Sequence, residues 1–329
     1  MISPQKTQTG AQAKPPSADP APTSNPPPLC APLRSLRPSV PPDPSPETLQ
    51  LRIHGPAHLP TLIYLPGLHG DWTLVHAFRL ALADRVRFVE LTYPRTLTWT
   101  LDQYAAAIEQ LLLTHGITHG WILAESFGSQ IAWPLLHRSI PMQSPAASTL
   151  QPLNPSTPPL PHPRFRPDGL ILAGGFIKHP IPCGPRLAEL LIRLLPWQFL
   201  LFLLHLYARY SRLRLRQPSP EALARLHEFL ARRTEPDRLA ILHRLRLITA
   251  NDPRPLARAA TLPVYQLTGW FDPIVPWPPV RTWLRRHCPG HRDTRVIPYA
   301  DHTILCSAPL TAAEQVLAWL AAPAPNALR

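Results

Sequence analysis

The stretch Ile122-Leu123-Ala124-Glu125-Ser126-Phe127-Gly128-Ser129 decides the fold. Residues 120–124 (GWILA) form a short apolar run that predicts a strand, and residues 127–136 carry helical spacing. A serine therefore sits at a tight turn from strand to helix. Such a turn has room only for small residues two positions before and two after the serine, and those are Ala124 and Gly128. The helix start beyond Ser126 brings a positive dipole end and a free backbone N–H at Phe127. The bland reading of the same residues is an N-cap serine, at Ser126 or Ser129. The strand–turn–helix placement favours an activated hydroxyl instead.

Outward from this turn, strands and helices alternate. Residues 59–65 (LPTLIYL), 86–91 (VRFVEL), 169–173 (GLILA), 264–267 and 296–298 read as strands. Residues 72–83, 101–114, 279–286 and 311–321 read as helices. This order predicts an α/β fold with a mostly parallel central sheet and helices on both faces. Residues 180–260 break the alternation and read as helices only, at 186–195, 197–210, 220–233 and 236–249. An all-helical insertion between strands of such a sheet is expected to be a lid.

Proline frames this domain. The chain has 329 residues with 47 Pro and 13 Gly, and 23 of the prolines fall in residues 1–48 and 139–168. Those tracts are poor in apolar residues and are expected to be disordered. The expected organisation is a Pro-rich tail at 1–48, core at 49–138, a Pro-rich insertion at 139–167, a core strand at 168–179, the lid at 180–260 and core again at 261–325. The net charge is +13, almost all of it arginine, because Lys6, Lys14 and Lys178 are the only lysines. No nucleic-acid-binding motif accompanies that charge, so no nucleic-acid partner is expected. Cys30, Cys183, Cys288 and Cys306 form no C-x-x-C pair, which argues against a structural zinc site or a disulfide framework. The first 20 residues lack an apolar core, so no secretory signal is expected and the protein reads as cytoplasmic. Residues 190–207 (LLIRLLPWQFLLFLLHLY) approach membrane-spanning length, but Arg193, Pro196, Gln198 and His205 interrupt them. They are read as a buried or half-buried part of the lid, with peripheral membrane contact as a further option.

A serine nucleophile needs a base, and the base needs an orienting carboxylate. Residues 268–276 (TGWFDPIVP) follow a strand and offer Asp272. Residues 298–303 (PYADHT) follow the last strand and offer His302. Asp301 is a rival acid, but a neighbour in sequence reaches the ring Nδ1 poorly. The tetrahedral intermediate needs two backbone donors. Phe127 N–H is one. Residues 66–71 (PGLHGD) offer Leu68 N–H as the second, with His69 N–H as the alternative. His69 as a second base or metal ligand is weighed against an ordinary loop histidine. Gly67, Gly70, Gly128, Gly174, Gly175 and Gly269 lie just past strand ends, where ligands bind in open α/β sheets.

With these motifs the chain resembles the α/β-hydrolase superfamily over about residues 50–138 and 168–322. YLPGLHGDW looks like its oxyanion loop, ILAESFGSQIAW like its nucleophile elbow, and GWFDPIVP with YADHTIL like its acid and base loops. A narrower likeness, carried by AESF, LPGLHG and GLILAGGF, is to carboxylesterases of the pimeloyl-carrier-protein methyl ester esterase type. The resemblance implies cofactor-free, metal-free hydrolysis of a carboxylic ester through an acyl-serine intermediate, with Ser126, Asp272 and His302 as triad. Thioesterase or lipase-type activity uses the same parts. A non-catalytic scaffold that binds a partner through its basic helical lid is the alternative class. Residues 180–260 hold 14 Arg against 6 Asp and Glu. Arg209, Arg212, Arg214 and Arg216 are candidates to attract an anionic partner: an acyl carrier protein, a CoA thioester or a lipid surface. Leu, Phe and Trp on the same helices are expected to line an acyl pocket.

Overall fold

The computed structural model describes residues 48–139, 164–214, 228–231 and 233–322. The expected tail and Pro-rich insertion lie outside these residues except at their edges, as does most of the helix expected at 220–233.

Seven strands form one sheet: β1 (Gln50–His54), β2 (Thr61–Leu65), β3 (Arg87–Thr92), β4 (His119–Glu125), β5 (Arg166–Ala173), β6 (Val264–Gly269) and β7 (His291–Ile297). Their order across the sheet is β1-β3-β2-β4-β5-β6-β7. Only β1 runs antiparallel, against β3, and every other pair is parallel. The sheet is the mostly parallel one that the alternation predicts. The edge strand β1 escapes the sequence pattern because it is short and half-exposed on both faces.

Alternate residues of the central strands feed two cores. Ile63, Leu65, Ile122, Leu170 and Leu172 point to the face covered by α2 (Leu101–Thr114), α3 (Gly128–Ser139) and α8 (Trp277–His287). Leu62, Tyr64, Leu123, Ile171 and Leu267 point to the opposite face, covered by α1 (His76–Ala81), α9 (Ile304–Ser307) and α10 (Pro309–Leu320). Helix α2 matches its expected bounds, and its start explains why. Thr100 Oγ1 accepts the Gln103 N–H while the Gln103 side chain accepts the Thr100 N–H, a reciprocal cap.

Between β5 and β6, every described element is helical: α4 (Gly184–Leu194), α5 (Trp197–Arg214), α6 (Glu235–Ala250) and α7 (Arg254–Ala259). Helix α6 packs its buried side on α4 and the core. The 190–207 segment is half-buried and in two helices. Leu195 is extended and separates α4 from α5; Ile192 and Trp197 pack against the core, while many of the other apolar side chains turn outward. Leu187, Leu190, Leu191 and Leu194 on α4 are exposed, as are Phe199, Phe202, Leu203 and Leu206 on α5. These eight therefore line no buried acyl pocket. Among the described residues, no helix is long and apolar enough to cross a membrane.

Candidate active site

The turn at Ser126 is as tight as its sequence requires. Ser126 has φ +48°, a left-handed conformation costly for a residue with a Cβ, held by its N–H donating to Ala173 O at 3.1 Å. A Cβ on Gly128 would lie 2.4 Å from Leu65 O, so only glycine lets α3 start against the end of β2. Ser129 is fully buried and serves the fold: its hydroxyl donates to Ser126 O and accepts the Phe176 N–H.

The structure brings Ser126, His302 and Asp272 together. His302 Nε2 lies 2.9 Å from Ser126 Oγ, and His302 Nδ1 lies 2.8 Å from Asp272 Oδ2. With Nδ1–H donating to the carboxylate, Nε2 is the acceptor for the serine hydroxyl. The other carboxylate oxygen, Asp272 Oδ1, accepts the N–H groups of Ile274 at 3.0 Å and Val275 at 2.8 Å. Burial opposes protonation of His302, but the Asp272 charge and hydrogen bond outweigh it and hold the imidazole above the ordinary histidine range. Asp301 is turned elsewhere, accepting the N–H and hydroxyl of Thr303 at 2.9 and 2.8 Å.

The loops that carry Asp272 and His302 are joined. Trp270 N–H donates to Ile297 O at 3.0 Å and Phe271 N–H to Ala300 O at 3.1 Å. A Cβ on Gly269 would meet Ala300 O and Asp301 O at 2.4 Å. The scarce glycines thus mark close approaches between loops.

The loop after β2 runs beside the serine. A Cβ on Gly67 would lie 3.4 Å from Ser126 Cβ, and Gly70 N–H donates to Gly67 O at 3.0 Å. Among the described residues, neither Leu68 N–H nor Phe127 N–H is engaged in a hydrogen bond. His69 packs edge-on against Phe229 at 4.5 Å. Burial first, then the Arg233 charge, lowers its pKa to about 3, so it is a neutral ring and a poor base. Among the described residues, no group of three or more His, Cys, Asp or Glu is placed to hold a metal ion.

Several residues around the site carry no local sequence signal. Arg244, fully buried on α6, donates to Leu68 O at 2.8 Å and to Pro94 O at 3.1 Å. Arg233 pairs with Asp71 of the same loop, and Arg95 binds Asp237 at 2.8 Å. Burial pushes the Asp71 carboxyl up, but Arg233 outweighs it and holds it below the usual carboxylate range. Beneath the turn, the Tyr64 hydroxyl donates to Glu125, whose carboxyl burial pushes up. Arginines of the helical insertion are therefore partly spent on internal bonds: Arg233, Arg238, Arg244 and Arg246 all have partners. Arg209 is exposed, while the side chains of Arg212 and Arg214 and all of Arg216 lie outside the described residues.

Solved structures share this architecture. The enol-lactonase from Burkholderia xenovorans LB400 is similar at a TM-score of 0.63 and 17% identity, over 83% of this chain and 96% of that one. A thermophilic esterase from Thermogutta terrifontis, solved with malate bound, is similar at 0.59 and 21%, over 83% and 92%. A bromoperoxidase from Bacillus anthracis is similar at 0.59 and 12%, over 83% and 95%. No family model and no curated protein sequence matches the chain.

Proposed function

This chain has the α/β-hydrolase fold, and on that fold we propose a serine hydrolase that cleaves a carboxylic ester. The observation that carries the reading is the relay from Asp272 through His302 to Ser126, with both hydrogen bonds under 3 Å. His302 Nε2 takes the hydroxyl proton as Ser126 Oγ attacks the ester carbonyl. Asp272 steadies the imidazolium that forms. The N–H groups of Leu68 and Phe127 receive the oxyanion. As the tetrahedral intermediate collapses, His302 returns the proton to the leaving alcohol. A water then attacks the acyl-serine, with His302 again the base, and releases the acid. Each proton moves on a residue of this chain or on water, and no step requires a cofactor.

Asp272 is preferred to Asp301 because its carboxylate meets Nδ1, whereas that of Asp301 is occupied by Thr303. The helical insertion acts as a lid in this reading, because Arg244 and Arg233 reach from it to the oxyanion loop. A thioester would use the same residues, and short and long acyl p-nitrophenyl esters set against acyl-CoA thioesters separate the substrate classes. The deciding experiment is labelling with a fluorophosphonate probe. Wild-type protein is expected to label and Ser126→Ala is not. Unlabelled, folded wild-type protein would favour the non-catalytic scaffold.

A further inference from the structure

Helices α4 and α5 expose apolar side chains at the same spacing, i, i+3, i+4 and i+7, beginning at Leu187 and at Phe199. In a helix that spacing is one face. In both helices that face meets solvent. Each face runs over eight residues, 187–194 on α4 and 199–206 on α5, about 12 Å along its helix axis. An apolar surface of that extent marks an interaction site.

Charge selects the occupant. From Leu190 to Pro220 the sequence holds five arginines and no acidic residue. Glu189, the only acid on the two helices, is held by Arg246 at 2.8 Å. Arg186, Arg193 and Arg209 are exposed on the helices that carry the apolar faces. A second copy, itself at net charge +13, would bring like charge to this surface. An anionic bilayer offers both an apolar interior for leucine and phenylalanine and phosphates for arginine. We propose that α4 and α5 lie on an anionic lipid surface, with the leucine and phenylalanine faces inserted at the headgroup boundary. The protein then rests on the membrane and does not span it. This inference stands independently of the catalytic reading.

Flotation of the full chain with vesicles tests it. Bound protein is expected to be at least about tenfold greater on mixed phosphatidylglycerol–phosphatidylcholine than on pure phosphatidylcholine, and to fall as salt rises. Leu194 and Phe202 are 70% and 58% exposed, so Leu194→Asp/Phe202→Asp is expected to fold normally and to lose this binding. Arg193→Glu/Arg209→Glu is expected to weaken it on anionic vesicles. Leu310→Asp, on α10 and 68% exposed, is the control expected to bind like wild type. Wild type that ignores anionic vesicles, or Leu194→Asp/Phe202→Asp that binds like wild type, would overturn the proposal. So would a dimer in sedimentation velocity that Leu194→Asp/Phe202→Asp dissociates, because the surface would then be a self-interface.

Discussion

Arg244 Nη1 donates to the carbonyl oxygen of Leu68 at 2.8 Å, across 176 residues of sequence. The same guanidinium fills the space next to Gly70, where a Cβ would lie 2.6 Å from Nη1. One buried arginine thus pins the loop that carries a proposed oxyanion donor. Arg244→Met leaves the buried Pro94 carbonyl without a donor, at about 1–3 kcal/mol, and the partly buried Leu68 carbonyl without its anchor at a smaller cost. It is expected to lower Tm and to lower kcat/KM about 10- to 100-fold, chiefly through kcat. Arg244→Lys keeps the charge but not the fork, and should fall between. Thermal unfolding and ester kinetics on the same samples check this. A lowered Tm with wild-type kcat would assign Arg244 to the fold alone.

In the proposed mechanism His302 must be neutral to accept the Ser126 proton. Because Asp272 holds its pKa above the ordinary histidine range, kcat/KM is expected to rise with pH through that elevated value. Asp272→Asn removes the raising cause and leaves burial, so the acidic limb should move to lower pH while kcat falls by about 10⁴. A pH–rate profile of both proteins decides it. The stability sign is the opposite one. A raised folded-state pKa favours the folded protein at pH values below the unfolded histidine value, and that contribution fades as pH climbs through the folded value.

Much of the site was legible because its motifs are local. Ala124 and Gly128 around Ser126, and the loops of Asp272 and His302, declare themselves within a few residues. The arginine clamps do not. Arg233 is 162 residues from Asp71, and no periodicity joins them. Strand β1 was missed because a half-exposed edge strand lacks an apolar run. The acyl-pocket role expected of the leucines and phenylalanines on α4 and α5 conflicts with their exposure for a different reason. Helical spacing tells which side chains share a face, but it is the neighbouring elements that determine whether the face points inward.

The two small residues flanking the serine are expected to differ sharply. Gly128→Ala places a Cβ 2.4 Å from Leu65 O, backbone that cannot move without shifting β2. It should destabilise by about 3 kcal/mol or more and abolish labelling of Ser126. Ala124→Gly only removes a methyl group from a buried strand position, at about 1 kcal/mol, and should still label. Chemical denaturation with probe labelling compares them. Equal tolerance at both positions would mean that α3 can start farther from β2 than it does.

Glu125 sits beside Ser126, the proposed nucleophile, with its carboxyl buried and its pKa pushed up by that burial. The unfolded chain therefore loses this proton at lower pH than the folded protein does. Stability from this group is present at acidic pH and declines as pH rises through the folded value. Glu125→Gln keeps a hydrogen-bonding partner for Tyr64 and cannot ionise, so it should remove that decline and gain on wild type toward neutral pH. Glu125→Ala leaves the buried Tyr64 hydroxyl without its acceptor, at about 1–3 kcal/mol at any pH. Urea unfolding at several pH values separates the two variants. A Glu125→Gln protein whose stability falls with pH as steeply as wild type would assign the slope to another group.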